Sequence, residues 1–316
     1  MDEQSLWVFA VQATPIPKPG PGEILLKVQS AASNPIDWKM QAFGMFLKNY
    51  PAIIGFDLAG QLRSLSEATF GINEHAGYQQ YALSYVDASC KIPDEISFDQ
   101  AATVPQTIAT ASIALYHPEE GAINGTVALY PPWEEGGRGS SVGQYAIQLA
   151  RLSGFGPIIP TASLKNSEWL QKLGATHVLD RNLAADALIA EVKKITTEPI
   201  KVIYDAAGSP DTQNAAYDIL APGGTLALGV QLAIKPEKLS ADKKAFQVFG
   251  DFNTPANRQL GIDLFSQLTE WLKDGEIKPN PVEVLPHGLH GVADGLQKLR
   301  QGVSNVKLVA RPQETQ

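Results

Sequence analysis

Cysteine is almost absent from this sequence. Cys90 is the single cysteine among 316 residues, which excludes an intramolecular disulfide and favours a protein that folds in a reducing compartment. Long apolar runs are also missing, since no stretch approaches the roughly 20 residues that a membrane-spanning helix needs. The chain begins Met-Asp-Glu-Gln, which is acidic where a secretory or mitochondrial leader is basic. We therefore expect a cytoplasmic protein without a membrane partner.

Positive charge is in short supply. The 25 lysines and arginines are outnumbered by 33 aspartates and glutamates, which gives a net charge of −8. Such a chain lacks the general basic surface that nucleic acids require, so no nucleic-acid partner is expected. By contrast, the hydrophobic fraction of 44% and the 27 glycines are typical of a soluble α/β protein. A length of 316 residues favours two domains.

The most informative motif lies in the middle of the chain. Residues 126–130 form an apolar, β-branched run, and the glycine-rich loop after it ends in Gly-Arg-Gly-Ser-Ser-Val-Gly at 137–143. Apolar residues then recur at helical spacing over 142–153. Small residues let the backbone approach a pyrophosphate, and a helix N-terminus offers free N–H groups to it. This strand–loop–helix order predicts a dinucleotide site, although the G-x-G-x-x-G pattern is matched imperfectly.

The next strand and turn indicate which dinucleotide is bound. An apolar run at 157–161 leads into Ser163, Lys165 and Asn166, and no aspartate or glutamate stands at the strand end. A carboxylate would bind a ribose 2′-hydroxyl and repel a 2′-phosphate, whereas these three side chains can donate hydrogen bonds to a phosphate. The pattern favours NADPH over NADH. Alternatively Ser163 and Asn166 cap the following helix, since both are good N-cap residues, and both roles can hold together.

Strands and helices alternate only in the middle of the chain, which predicts a doubly wound parallel sheet there. The predicted strands are residues 126–130, 157–161, 177–179, 201–205 and 225–229, and the helices are 142–153, 167–173, 184–194 and 212–220. The flanks differ: residues 1–115 carry short β-like runs broken by proline and glycine, and a strand–helix–strand pattern follows a long helix at 255–273. We therefore predict a β-rich outer domain of residues 1–115 and 275–316, with a nucleotide domain of residues 116–274 inserted.

Several motifs, in this order, resemble the medium-chain dehydrogenase/reductase superfamily. They include Asn34-Pro-Ile-Asp-Trp-Lys39, Gly55-Phe-Asp-Leu-Ala-Gly60, Gly77-Tyr-Gln-Gln-Tyr-Ala82, Ala101-Ala-Thr-Val-Pro105, Gly139–Ala150, Tyr204-Asp-Ala-Ala-Gly-Ser209 and Lys307-Leu-Val-Ala-Arg311. The first motif and Ser163-Leu-Lys-Asn166 look like the zinc-free fungal branch, the trans-acting enoyl reductases and related quinone-reductase-like proteins. The resemblance implies a Rossmann sheet inserted in a GroES-like outer domain.

The resemblance also implies which residues contact NADPH and substrate. The nicotinamide half would face Pro35, Ile36, Asp37 and Trp38, and the pyrophosphate would lie on Ser140, Ser141, Val142 and Gly143. The 2′-phosphate would lie on Ser163, Lys165 and Asn166, and Arg181 would stack on the adenine or pair with phosphate. Looser contacts would come from Gly229, Val230, Lys307 and Leu308. The segment Thr107, Ile108, Ala109, Thr110, Ala111 and Ser112 would line the substrate.

The sequence is not expected to bind zinc. Zinc enzymes of the family carry a cysteine where Asn34 stands and a His-Glu pair where Phe56 and Asp57 stand. Phe56 cannot ligate, Asn34 is a poor zinc ligand, and one cysteine cannot build a structural zinc site. The five histidines show no metal-binding spacing. Polarisation of a substrate carbonyl must then come from hydrogen bonds.

The implied reaction is hydride transfer from NADPH to an activated C=C bond of an enone or an enoyl thioester, free or carrier-bound, by a monomer or homodimer. Lys39, Tyr78 and Tyr81 are the polar candidates for the proton donor, although a tyrosine at such spacing is more often half-buried packing. Two departures from the family keep other functions open: the segment 61–76 is short, and residues 131–135 lengthen the pyrophosphate loop. The alternatives are a zinc-free quinone reductase and an NADPH-binding sensor without turnover.

Overall fold

The computed structural model describes residues 9–61, 64–118, 127, 143–206 and 208–316. The chain divides into two compact units, an outer unit of Met1–Thr107 with Asp251–Gln316 and an inner unit of Ile108–Gly250. Among the helices that the structure describes, none combines the length and the apolar character that a bilayer span requires.

Strands and helices are numbered in chain order over the described residues. The strands β1 to β12 are Glu23–Ala32, Asp57–Gly60, Ser64–Glu67, Tyr81–Tyr85, Ser89–Lys91, Thr161–Ala162, Leu179–Asp180, Val202–Asp205, Thr225–Leu228, Lys244–Gln247, Val282–Val284 and Lys307–Ala310. The helices α1 to α9 are Pro35–Phe43, Phe98–Ala102, Pro105–Tyr116, Gly143–Leu152, Ser167–Leu173, Ala185–Ile195, Pro210–Ile219, Arg258–Lys273 and Val292–Gln301.

The outer unit is built on one sheet, which has the strand order β11-β12-β1-β2-β3-β5, with β4 also paired to β1. The pairs are antiparallel apart from β11 with β12. Leu26 and Val28 alternate with half-buried residues along β1, as expected for a strand with one face in the core. They pack with Met40 of α1, Leu58 of β2 and Leu308 of β12. The sheet therefore places β1, near the start of the chain, and β12, near its end, in one hydrophobic core.

Within the short segment 61–76, residues Ser64–Glu67 form strand β3, which pairs with β2 in an antiparallel hairpin. Its register sets Asp57 directly opposite Glu67. Both carboxyl side chains are buried, at 0% and 2% exposure.

The described part of the inner unit carries parallel strands in the order β10-β9-β8, and a second parallel pair, β6 with β7. The helices α5, α6 and α7 alternate with these strands, so the predicted α/β class is confirmed. The predicted first strand and its loop lie outside the described residues apart from Val127. The second strand is shorter than predicted and begins at Thr161, because Pro160 has no N–H to donate. The Pro160 carbonyl still accepts a hydrogen bond from Leu179 N at 3.0 Å.

The division between the units differs from the predicted boundaries at 115/116 and 274/275. Helix α8 belongs to the outer unit, whose first segment ends at Thr107 and whose second begins at Asp251. Thr269 of α8 donates to the Lys91 carbonyl at 2.8 Å, and Arg258 forms an ion pair with Asp87. A helical pattern shows that a helix exists and which face is apolar, but it does not show which sheet that face covers.

Candidate functional site

The Asn-Pro-Ile-Asp motif builds the start of helix α1. Asn34 has extended backbone angles at the N-cap, Pro35 follows at the first helical position, and Asn34 N donates to Asp37 Oδ2 at 2.7 Å. Proline suits that position because its missing N–H would be unpaired there anyway. Pro35 is exposed and Ile36 and Trp38 are half-buried, whereas Asp37 is buried. The motif thus presents three of the four predicted nicotinamide contacts at or near the surface of the outer unit.

Asp37 lies in a buried hydrogen-bonded group with a tyrosine. Tyr78 Oη donates to Asp37 Oδ2 at 2.8 Å and lies 3.0 Å from Ser33 Oγ. Burial raises the pKa of Asp37 to about 7, against the hydrogen bonds from Asn34 N and Tyr78 that lower it. Burial and the neighbouring Asp37 raise the pKa of Tyr78 well above its usual value. Tyr78 therefore stays protonated, and Asp37 is the group here that can exchange a proton near neutral pH.

A buried cation lies beside this group. Lys307 Nζ on β12 lies 2.7 Å from Asn34 Oδ1, 2.9 Å from Asp57 Oδ2 and 2.9 Å from Thr107 Oγ1. The Lys307 side chain is 10% exposed and that of Asp57 is fully buried. An ammonium has three donors, and three acceptors surround it.

Asp57 also binds the backbone and a neighbouring amide. Its Oδ1 accepts a hydrogen bond from Gln106 N at 2.6 Å, and its Oδ2 accepts one from Asn34 Nδ2 at 2.8 Å. One buried carboxylate therefore joins β2 to α1, to β12 and to the start of α3.

The residues at the positions where zinc enzymes of the resembled family carry their ligands do not fit a zinc ion. Asn34 and Asp57 are hydrogen-bonded to each other and to Lys307, so a lysine supplies the positive charge between them. Phe56 is 2% exposed and packs on Phe70, with ring centroids 4.1 Å apart. Over the described ranges, no group of three histidine, cysteine, aspartate or glutamate side chains is arranged to hold a metal. Zinc needs thiolate, imidazole or carboxylate ligands that are not already committed to a cation.

The other two predicted proton donors, Lys39 on α1 and Tyr81 on β4, are half-buried and are not part of the hydrogen-bonded group of Asp37 and Tyr78. Lys39 is half-buried on α1, with Nζ 5.8 Å from the centre of the Trp38 ring. Tyr81 is half-buried on β4, where it pairs in register with Lys27 of β1. Of the three candidates, Tyr78 is the one that the structure brings to Asp37.

Helix α3 carries the segment predicted to line the substrate, and most of it is buried. Thr107 and Thr110 are half-buried, while the other four side chains lie in the core: Ile108, Ala109, Ala111 and Ser112. Ser112 Oγ donates back to the Ile108 carbonyl at 2.7 Å. Of the C-terminal contacts, Leu308 is fully buried and Lys307 binds the oxygens described above.

In the inner unit, the predicted 2′-phosphate residues follow the carboxyl end of β6. Ser163 and Asn166 are half-buried and Lys165 is exposed in a short 3₁₀ turn before α5. In this turn neither Ser163 nor Asn166 makes a side-chain capping hydrogen bond. Arg181 follows β7, and its N–H donates to the Ala162 carbonyl at 3.0 Å. The ends of the two paired strands thus bring Lys165 and Arg181 to one edge of the sheet.

The remaining dinucleotide residues are partly described. Ser140, Ser141 and Val142 lie outside the described residues, and Gly143 begins α4 with φ +40°. Gly229 follows β9, where an added Cβ would lie 3.0 Å from Tyr204 Oη. Val230 fills the space beside Gly208, where an added Cβ would lie 2.1 Å from the valine. The carboxyl ends of β8 and β9 therefore pack closely, and Gly208, which also has φ +71°, is the position that requires glycine.

Sequence reasoning did not single out Ser33, Gln106 or the roles of Asn34 and Asp57 in this buried group. Asn34 and Asp57 entered only as members of the resemblance motifs and as occupants of the zinc-ligand positions. Gln106 acts through its backbone N–H, which no sequence pattern reveals. The one available signal was a charged residue inside an apolar strand: Asp57 lies between Phe56 and Leu58.

Comparisons with known proteins agree with this architecture. Residues 20–94 match the family described as alcohol dehydrogenase GroES-like domain, and residues 141–248 match the family described as zinc-binding dehydrogenase. The trans-enoyl reductase himH of Aspergillus japonicus is 33% identical, over 91% of this chain and 89% of the relative.

Solved structures share the fold at lower identity. An alcohol dehydrogenase superfamily protein from Novosphingobium aromaticivorans has a TM-score of 0.75 at 18% identity, over 96% of this chain and 95% of the other. The mycobacterial protein Rv1454c, solved in complex with NADPH, has a TM-score of 0.70 at 19% identity, over 95% of this chain and 94% of the other. The chain belongs to the medium-chain dehydrogenase/reductase superfamily of oxidoreductases, with a GroES-like domain and a Rossmann-type domain.

Proposed function

We propose that this protein is a zinc-independent, NADPH-dependent reductase of activated C=C bonds in enones or enoyl thioesters. The observation that carries the proposal is the position of Lys307 Nζ between Asn34 and Asp57. An alcohol dehydrogenase needs a metal there to lower the pKa of the alcohol, and these residues do not offer a metal site. An enone is already polarised for attack by a hydride, so it needs no metal. The name of the himH relative, a trans-enoyl reductase, supports the same chemistry.

The reaction is balanced by one hydride and one proton. NADPH, when bound, would supply the hydride for a new C–H bond at the β-carbon. The C=C π pair would shift to the bond between the α-carbon and the carbonyl carbon, and the carbonyl π pair would move to its oxygen. A proton then adds to the α-carbon and the carbonyl is restored. The exposed face of α1 at Pro35, Ile36 and Trp38 would orient the nicotinamide. Asp37 and Tyr78 would hold that helix start in place, and the α-carbon proton is assigned to solvent water.

The substrate is a small or carrier-bound unsaturated carbonyl compound, and the protein acts in the cytoplasm as a monomer or homodimer.

The preference for NADPH rests on charge at the ends of β6 and β7. Lys165 and Arg181 would offer cations, and Ser163 and Asn166 would offer uncharged donors, to a 2′-phosphate. No carboxylate stands between Ala162 and Asn166 to repel it. A neighbouring structure solved with NADPH supports a nicotinamide cofactor of this kind.

The cofactor preference is tested by Lys165→Glu. We expect NADPH binding to weaken by about 2 kcal/mol, roughly 30-fold, while NADH binding changes little, because only NADPH carries the 2′-phosphate. Calorimetry measures both affinities. Lys172→Glu on α5 is the matched control, since it makes the same charge change at an exposed lysine paired with Glu168. Equal affinities of the unmodified protein for NADPH and NADH would overturn the preference.

The activity is tested with stereospecifically deuterated NADPH and a panel of enones, enoyl thioesters and quinones. We expect deuterium at the β-carbon of a reduced enone or thioester, with the same rate after treatment with a metal chelator. Mass spectrometry and NMR of the product locate the label. Reduction of quinones alone would favour the quinone reductase alternative. Binding of NADPH without transfer to any member of the panel would favour a sensor, and oxidation of simple alcohols would contradict all three.

A further inference from the structure

The hairpin of β2 and β3 carries two buried acids in direct register. Asp57 and Glu67 are Cα partners, and both are almost completely buried. Side chains opposite one another on antiparallel strands project from the same face of the sheet, where two like charges destabilise the pair. The hairpin therefore needs compensating contacts for each acid, and the two acids have different ones.

Each acid holds a different segment of the chain. Asp57 Oδ1 accepts from Gln106 N at 2.6 Å, next to Thr107, the last residue of the first segment of the outer unit. Glu67 Oε2 accepts from Phe252 N at 3.0 Å, next to Asp251, the first residue after the chain returns from the inner unit. One hairpin thus binds the backbone at both points where the chain passes between units.

A second contact strengthens each of these anchors. Lys307, which is bound to Asp57, reaches Thr107 Oγ1 at 2.9 Å. Asn253 Nδ2 donates to the Glu67 carbonyl at 3.1 Å. Arg258 in turn donates to Asn253 Oδ1 at 2.6 Å and pairs with Asp87.

Glu67 differs from Asp57 in its charge environment. Asp57 has Lys307 as an ion-pair partner, whereas Glu67 faces the acids Asp251 and Asp57, with Arg258 as a weaker favourable charge. Burial and Asp251 raise the pKa of Glu67 well above its usual value. Glu67 Oε1 is buried and has no hydrogen-bond partner among the described residues. Because a neutral carboxyl can stay buried without a cation, protonation of Glu67 removes one of the two negative charges that Asp57 and Glu67 would otherwise place opposite each other.

We propose that Glu67 is a positioning residue. Together with Asp57 it makes the β2–β3 hairpin a common anchor for the backbone at Gln106 and at Phe252, next to the two points where the chain passes between units. This anchor fixes the start of α3 and the segment Asp251–Phe252 in the positions that turnover requires. The turnover part rests on the proposed reductase function. The anchoring part concerns the backbone of the outer unit alone. Neither acid contacts substrate in this role.

The anchor is tested by amide hydrogen exchange in the full-length protein without substrate, followed by NMR. In Glu67→Met we expect the Phe252 amide to exchange about tenfold faster, because its acceptor is gone, while the Gln106 amide keeps its rate. Glu67→Gln retains a carbonyl acceptor of the same size, so it should restore slow exchange. Glu283→Met is the matched control, because Glu283 is a strand glutamate whose side chain is 41% exposed and paired with Lys298.

The positioning role is tested by kinetics on the same variants. We expect kcat to fall about tenfold in Glu67→Met, with the NADPH Kd within about twofold of the unmodified protein, and to recover in Glu67→Gln. Unchanged exchange at Phe252 in Glu67→Met, or fast exchange in Glu67→Gln, would overturn the anchor. Fast exchange in Glu67→Met with an unchanged kcat would overturn positioning. If the unmodified protein reduces no substrate, the proposed function is wrong, and so is the role of Glu67 in turnover. The exchange rates still show in that case whether Glu67 holds the Phe252 backbone.

Discussion

Replacing Lys307 by methionine is expected to lower the free energy of unfolding by about 3–5 kcal/mol, because it leaves a buried carboxylate without its cation. The Lys307 side chain is 10% exposed and its partner Asp57 is fully buried, with 2.9 Å between Nζ and Oδ2. Asn34 Nδ2 and Gln106 N would remain as donors to Asp57, but neither carries a charge. Urea unfolding at pH 7 measures the change.

A double-mutant cycle isolates the pair from the rest of the group. We expect Asp57→Asn to recover part of the stability lost in Lys307→Met, because the second substitution removes the uncompensated charge. Lys298→Met is the control: its ion pair with Glu283 is 50% and 41% exposed, so it should cost at most about 1 kcal/mol. A loss below about 1 kcal/mol in Lys307→Met would contradict a buried ion pair between β2 and β12.

Replacing Asp37 by asparagine is expected to change how stability depends on pH. Burial raises the folded-state pKa of Asp37 from 3.8 to about 7, so between these values the folded protein binds a proton that the unfolded chain has released. In the unmodified protein, the contribution of Asp37 to the free energy of unfolding is fully present below pH 4 and is lost as pH rises through 7. An asparagine side chain does not titrate, so the variant lacks this loss. The groups that face Asp37 are Asn34 N, Tyr78, Asp57 and Lys307.

The measurement is the difference in unfolding free energy between Asp37→Asn and the unmodified protein at several pH values. From pH 5 to pH 8 we expect this difference to shift by about 3 kcal/mol in favour of the variant. Asp294 occupies the same third helical position in α9 but is exposed, so Asp294→Asn should follow the unmodified protein. A difference that stays constant with pH would show that Asp37 does not carry its proton in the folded state.

The helices and strands of the inner unit follow from local patterns in the sequence. The predicted helix at 167–173 coincides with α5, and the predicted strand at 225–229 differs from β9 by one residue. The prediction for residues 157–161 failed at most of its length because Pro160 interrupts hydrogen bonding, although the apolar pattern continues. Hydrophobic periodicity indicates which face of a helix or strand is buried, whereas a proline indicates where the hydrogen bonding between strands is interrupted. A strand prediction needs both signals.

The candidate site was predicted less completely than the fold. Ser163, Lys165 and Arg181 are brought to neighbouring strand ends, as expected for residues that follow parallel strands. Lys307 was assigned to the cofactor, and in the structure its three neighbours are oxygens of the outer unit. Asn34 and Lys307 lie 273 positions apart in the sequence. Nothing local in either residue identifies the other as its partner.

By itself, the sequence determined the class of the fold, the order of its elements and the family. These follow from periodicity, from turn residues and from local motifs, all of which are properties of short segments. The absence of zinc, which was argued from the side chains that can ligate, stays a prediction. Only the tertiary structure decided that Asp57 pairs with Lys307, that Tyr78 donates to Asp37, and that Glu67 opposes Asp57 and holds Phe252 N. Burial and charge act over a few ångströms in space, so which groups they couple is set by strand register and packing.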